Sequence, residues 1–287
     1  MIVRFLSTLI ELSKVKITFA VSLTTIAGYL LTKGSLDTGL ILPVIGIFLL
    51  ACGSSALNHF QDSDRDALMK RTASRPIPSG RISRNGALLV AILLTVLGSG
   101  LLYLGSGFVG FQLGLLALLW YNAIYTPLKR KTAYAVIPGS VIGAIPPVVG
   151  WVAGGGSVFD AQVLILAFFF FIWQVPHFWL LMLKYGDEYT NAGYPSITQR
   201  YNDEQIKYIT FLWTFATAVA ALMLPLFGIL HSLAATIVVM ISVVWLIVVF
   251  AGLLRSSAKP FNPFYYFMRI NYFVLAVIIA ISADPFL

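Results

Sequence analysis

NHFQDSDRDALMKRTASRPIPSGRI, residues Asn58 to Ile82, separates two long apolar stretches and gathers three carboxylates and five cationic side chains. Asn58, Asp62 and Asp66 recur at every fourth position, so on a helix they fall within an arc of about 80° on one face. Two carboxylates and an amide on one face suit a hard, oxygen-seeking cation such as Mg2+, which binds through one or two carboxylates plus substrate phosphates. Lys70, Arg71, Arg75 and Arg81 follow directly and suit the anionic end of the same ligand. The segment predicts metal and phosphate chemistry at the edge of a membrane.

Outward from this segment the chain is mostly hydrocarbon. Hydrophobic residues make up 59%, charged residues 10%, and the mean hydropathy is +0.89, values that exclude a soluble domain. Nine apolar runs long enough to span a bilayer as helices cover roughly 15–32, 38–57, 85–104, 107–125, 134–153, 161–182, 208–228, 232–253 and 268–285. The runs lack barrel-type alternation, and open sheet edges cannot face lipid. The expected fold is therefore all-α: a polytopic membrane protein, one bundle of nine transmembrane helices over residues 1–287, with the first run retained as a helix rather than cleaved.

Charge sets the expected orientation. Taken alternately, the connections hold eighteen Lys and Arg on one side, from Arg4 to Arg255, Lys259 and Arg269, against Lys33 alone on the other. By the positive-inside rule the N-terminus is cytoplasmic and the C-terminus outside, in the cytoplasmic (inner) membrane. Topology and an anionic substrate account for the net charge of +8, with no nucleic acid required. The single cysteine, Cys52, excludes an internal disulfide and multi-cysteine metal sites, and reads as a packing residue. The long polar segments then become the places for chemistry: loops at about 58–84, 126–133 and 184–207.

The loop at 184–207 is the other acidic one. If the preceding helix continues through it, His177, Lys184, Asp187 and Asn191 share a face, and Asp187 and Asn191 repeat the four-residue spacing. Asp187 is the expected ligand from this loop, with Glu188 the alternative. His177 is an ionisable group inside the membrane, a functional candidate or a histidine bonded to a neighbouring helix; His59 and His231 read as structural. In the loop at 126–133, Lys129 and Arg130 are expected on phosphate, with Lys131 as a membrane anchor. Further on, GSVIGAIPPVVGW (Gly139 to Trp151) packs small residues that allow close helix approach around a proline pair.

At this point the sequence resembles the UbiA superfamily of intramembrane prenyltransferases, whose N-x-x-x-D-x-x-x-D pattern is met by Asn58, Asp62 and Asp66. It is most similar to the haem-modifying branch, through Asp62 to Gly80, YTPLKRKT (Tyr125 to Thr132), GAIPPVVGW (Gly143 to Trp151) and PHFW (Pro176 to Trp179). It departs from that branch at Val175, at Tyr194 and Ser196, and at Ala135, nearer the acceptor than the diphosphate machinery. The resemblance implies Mg-dependent transfer of farnesyl from farnesyl diphosphate to a vinyl group of protohaem IX, with haem as substrate rather than cofactor and Mn2+ as the alternative metal. It implies a catalytic set of Asn58, Asp62, Asp66, Asp187 and Lys184, with metal on Asp62, Asp66, Asp187 and Asn58. Lys70, Arg71, Arg75, Lys129 and Arg130 would bind diphosphate, and His177, Tyr121, Tyr125 and Trp173 would face the acceptor or the allylic cation. The implied protein partners are a haem A synthase or a terminal oxidase. The alternatives are the same chemistry on a quinone precursor, a chlorophyll-type or a lipid acceptor, and a transporter with charged gates on one face.

Overall fold

The computed structural model describes residues 2–254 and 261–287, so Arg255 and Lys259, counted above for orientation, lie outside the described residues. All regular structure among the described residues is helical: α1 (Ile2–Leu12), α2 (Val15–Lys33), α3 (Ile41–Asp66), α4 (Arg84–Leu119), α5 (Thr126–Leu128), α6 (Val136–Gly139), α7 (Val141–Ala153), α8 (Ala161–Lys184), α9 (Gly186–Asn191), α10 (Asp203–Leu226), α11 (Leu233–Ala251) and α12 (Pro263–Ala283), with short 3-10 and π turns between them.

Among the described residues, eight segments are long and apolar enough to cross a membrane, and the chain is an integral multi-pass membrane protein. The two spans expected over 85–104 and 107–125 are arms of one such segment, Arg84–Leu128. Gly107 breaks it with φ 66° and ψ −167°, a conformation open to glycine alone. Leu102 and Gly114 would stand about 18 Å apart on a straight helix, yet a Cβ at Gly114 would lie 2.4 Å from Leu102 Cδ1. The arms therefore fold back on one another.

Small residues set how closely the helices approach. Gly46 faces Gly98 and Leu102, and Gly53 faces Ala91 and Thr95, which seats α3 against the first arm of α4. The Gly-rich segment of α7 meets α2 backbone to backbone. A Cβ at Gly150 would stand 1.9 Å from the Thr25 carbonyl oxygen, and one at Gly28 2.0 Å from that of Pro147. Neither obstruction is a side chain that can rotate away. Gly150→Ala is accordingly expected to lose about 1–3 kcal/mol or more to overpacking, read as a lower thermal midpoint in detergent. An unchanged midpoint would contradict the contact.

The far half of the bundle is held by apolar burial, with Phe169 and Phe170 of α8 packed against Phe250 of α11 and Phe273 of α12 in one core cluster. Cys52 is buried with its Sγ 3.4 Å from Thr18 Oγ1, in a packing position. His231 and Asp284 meet at 3.4 Å, where the carboxylate also accepts from the His231 and Ser232 amides ahead of α11. The loops at 58–84, 126–133 and 184–207 converge at one end of the bundle.

Candidate active site

The last two turns of α3 carry Asn58, Asp62 and Asp66, all 2–3% exposed. Nothing in an apolar bundle tolerates bare carboxylates, so each is answered by cations from a different loop. Lys129 forms an ion pair with Asp62 Oδ2, and Arg130 donates to Asp62 Oδ1 at 3.0 Å. Arg75 reaches back to both oxygens of Asp66 at 2.8 and 2.7 Å. The loop between them is folded for this purpose, because the Thr72 hydroxyl donates to the Asp66 carbonyl at 2.8 Å and closes the turn after α3. Asp64 points elsewhere, to Arg84 at 3.3 Å, as its angular position on the helix requires.

Asn58 links the set. Its amide donates to Asp62 Oδ2 at 2.8 Å and to Thr126 Oγ1 at 3.2 Å, and its carbonyl accepts from Lys14 Nζ at 3.0 Å. Lys14 lies between α1 and α2, just outside the first span. Burial and the nearby Arg75 and Lys129 lower its pKa to about 7. Burial also lowers that of Lys129, with Asp62 opposing the shift.

A wide π-type turn over Trp120–Tyr125 interrupts the second arm of α4, a feature frequent at functional sites. Asn122 pins it to α3, accepting from Ser54 Oγ at 2.6 Å and exchanging hydrogen bonds with Gln61 at 2.9 and 3.1 Å. The turn aims Tyr121 and Tyr125 into one space, stacked at 5.6 Å, and Phe178 extends the stack at 5.9 Å.

These groups line a cavity of about 420 Å3 that opens among the three loops. Asn58, Asp62, Asp66, Arg71, Arg75, Tyr121, Tyr125 and Lys129, expected from the sequence, are all in its wall. Arg130 supports Asp62 from behind. Lys14, His59, Phe178, Tyr189 and Tyr194 line it too and were not expected there. Tyr194 donates to Asp62 Oδ1 at 3.3 Å, and burial followed by the Asp62 charge holds its phenol protonated, well above the usual range. The departure at Tyr194 therefore falls beside the carboxylate, not only on the acceptor side.

Five expected residues are placed elsewhere. Helix α8 stops at Lys184, and Tyr185, with φ −115° and ψ 23°, starts a new helix axis at Gly186. The shared face of His177, Lys184 and Asp187 is lost at that break. Asp187 is exposed, and the half-buried Glu188 accepts from the Arg71 amide at 3.1 Å without lining the cavity. Lys184 is exposed, with its Nζ 3.4 Å from the Phe264 ring centroid. Trp173 donates to the Ile270 carbonyl at 3.3 Å, and His177 is wedged between the Trp173 and Phe267 rings. Both thus face α12, away from the cavity. Lys70 is exposed beside it. The groups present are two carboxylates and an amide, with no cluster of three or more His, Cys, Asp or Glu that could hold a metal among the described residues. That donor set fits Mg2+ completed by substrate phosphate, and does not make an all-protein cage.

Residues 21–273 match the UbiA prenyltransferase family. A Geobacter sulfurreducens protein named protoheme IX farnesyltransferase is 42% identical over 206 residues, covering 71% of this chain and 76% of its own. One of the same name from Oleidesulfovibrio alaskensis is 32% identical over 278 residues, covering 96% and 95%. Among solved structures, a digeranylgeranylglyceryl phosphate synthase superposes with a TM-score of 0.79 at 19% identity, covering 98% of each chain. A UbiA homolog from Archaeoglobus fulgidus bound to GPP and Mg2+ superposes with a TM-score of 0.66 at 14% identity, covering 98% and 100%. At these identities the two structures establish the fold alone.

Proposed function

The chain belongs to the UbiA prenyltransferase family, and from that premise we propose that it transfers farnesyl from farnesyl diphosphate to a vinyl group of protohaem IX. The observation that carries the reaction class is the pair of buried carboxylates, Asp62 and Asp66, facing one cavity with Arg75 and Lys129. The names of the relatives support the acceptor, and the Archaeoglobus homologue bound to GPP and Mg2+ supports a divalent metal with a prenyl diphosphate.

Asp62 and Asp66, with Asn58 beside them, would hold Mg2+, which supplies positive charge to the leaving group when bound. Lys129, Arg130 and Arg75, the partners of those carboxylates, would offer their charges to the diphosphate oxygens, so that charge growing on the departing oxygen meets fixed cations. The C1–O bond breaks with its electron pair on diphosphate. Tyr121, Tyr125 and Phe178 present ring faces to the allylic cation, in a cavity whose apolar surroundings exclude bulk water. The vinyl π pair then bonds to farnesyl C1, and water adds at the vinyl carbon next to the ring with loss of a proton, leaving a hydroxyethylfarnesyl substituent. With the basic loops on the cytoplasmic side, the diphosphate enters from that side of the inner membrane.

Chain length has a physical basis in the same wall. A smaller apolar cavity continues from the first, sharing Val21, Ala51 and Ser54 with it and ending among Ile47, Leu50 and Leu118. From Asn58 to Ile47 is about 16 Å of helix. An extended farnesyl chain of eleven bonds advances about 13 Å, and a geranylgeranyl chain of fifteen about 18 Å, at about 1.2 Å per bond. Ala51→Phe, which blocks the junction, is expected to raise the kcat/KM ratio of geranyl over farnesyl diphosphate about tenfold, as a misfit of this size does in an apolar pocket. An unchanged ratio would place the tail elsewhere.

The acceptor is tested by competition. Purified protein in liposomes with Mg2+ and farnesyl diphosphate is offered protohaem and a quinone precursor together, and the products are read by mass spectrometry. Farnesylated haem alone is expected; a prenylated quinone precursor with unmodified haem would overturn the assignment.

A further inference from the structure

The cations of the cavity wall are not equally engaged. Arg75 is paired with Asp66, and Lys129 and Arg130 with Asp62. Arg71 and Lys14 are paired with no carboxylate among the described residues; the Arg71 guanidinium lies over the Tyr185 ring, and the Lys14 Nζ donates only to the neutral carbonyl of Asn58. The next residue along α3, His59, is 2% exposed and lines the same cavity, and neither of its ring nitrogens has a hydrogen-bond partner. Buried polar atoms are as a rule satisfied, and an exception calls for a group the structure does not contain. The backbone commits Lys14 to this position. With φ and ψ both 47°, it is the one non-glycine residue with positive φ among the described residues, at the corner where α1 turns into α2.

We infer that Lys14 and His59 form an oxyanion site of their own in the cavity wall, which takes a carboxylate or phosphate oxygen of a bound substrate. An anion there would give the lysine a charge partner and the imidazole a hydrogen-bond partner at once, which neither water nor an apolar tail does. The inference rests on the prenyl-transfer reading, under which two substrates bring such oxygens: the diphosphate of the donor and the propionate carboxylates of a protohaem acceptor. The carboxylates are the better match, because Arg71, Arg75 and Lys129 in the same wall already offer the diphosphate its cations.

Equilibrium binding tests the site without requiring turnover. Wild-type protein, Lys14→Met, His59→Leu and Lys14→Arg are titrated with inorganic diphosphate plus Mg2+, with zinc protoporphyrin IX, and with its dimethyl ester, which lacks the carboxylates. Lys14→Met is expected to weaken one oxyanion-bearing probe about ten- to hundredfold, as the loss of a charged hydrogen bond does. His59→Leu is expected to weaken the same probe, and Lys14→Arg to restore most of the loss. Weakening of the porphyrin but not its ester identifies the acceptor carboxylate; weakening of diphosphate identifies the donor. If both variants, folded by circular dichroism and elution profile, bind every probe as wild type does, the site does not exist. Should Lys14→Met fail to fold, His59→Leu decides alone. A wild-type protein that binds neither porphyrin overturns the haem reading instead, and the diphosphate titration still decides this one.

Discussion

Asp62→Asn is expected to lower prenyl transfer by about a thousandfold or more, the scale of losing a charge that stabilises the leaving group. Asp62 ties its own helix to two loops of the cavity wall. Asp62 accepts from Asn58 on its own helix, from Lys129 and Arg130 in the loop at 126–133, and from Tyr194 in the loop at 184–207. Asparagine keeps the volume and one acceptor oxygen, so the wall stays in place while its charge is lost. The buried ammonium of Lys129 then loses its counter-charge as well as the metal its ligand. Diphosphate release from farnesyl diphosphate, measured with saturating Mg2+, reads the effect. Turnover within tenfold of wild type would mean that Asp62 is a structural acid.

The second large effect is on stability. Arg75→Met is expected to destabilise the protein by about 3–5 kcal/mol, because it strands a buried charge that nothing else neutralises. Asp66 is 2% exposed, and Arg75 is its only ion-pair partner among the described residues. The arginine itself is about one-fifth exposed, which places the loss toward the lower figure. The metal provides an internal check. If Asp66 takes Mg2+, then millimolar Mg2+ should raise the thermal midpoint of Arg75→Met more than that of wild type, since the cation replaces the missing guanidinium. Equal midpoints for the two proteins without metal would contradict the pairing.

Much of this arrangement was legible in the sequence because it lies on one uninterrupted helix. Asn58, Asp62 and Asp66 share a face for the reason their spacing gives, and Arg75 and Lys129 come to that face because a buried carboxylate needs a cation. The spans were legible from hydropathy, although the arms over 85–104 and 107–125 form one segment folded at Gly107. In the loop at 184–207 the expected continuation of α8 does not occur. Extending α8 past Tyr185 put Asp187 on the face of His177 and Lys184, whereas the helix axis changes there, leaving Asp187 exposed and Glu188 against the Arg71 amide.

On α8 itself, Gln174, Phe178 and Leu181 line the cavity while Trp173 and His177 face α12. Both faces are apolar and aromatic, so periodicity offered nothing to choose between them. Tyr189, Tyr194, Lys14 and His59 were hidden for another reason. Their roles come from helices meeting across the bundle, and Lys14 in particular reads in sequence as one more positive charge at a membrane edge.

In the reaction proposed above, Asp62 and Asp66 act through a divalent cation on a prenyl diphosphate. This role is tested most directly by following diphosphate release from farnesyl diphosphate in liposomes, with protohaem present, as Mg2+ is titrated in from a chelated start. No release above the uncatalysed rate is expected without the cation, saturable release with it, and a flat response in Asp62→Asn. Release that proceeds equally well in chelator, or that saturates normally in the variant, would contradict that role.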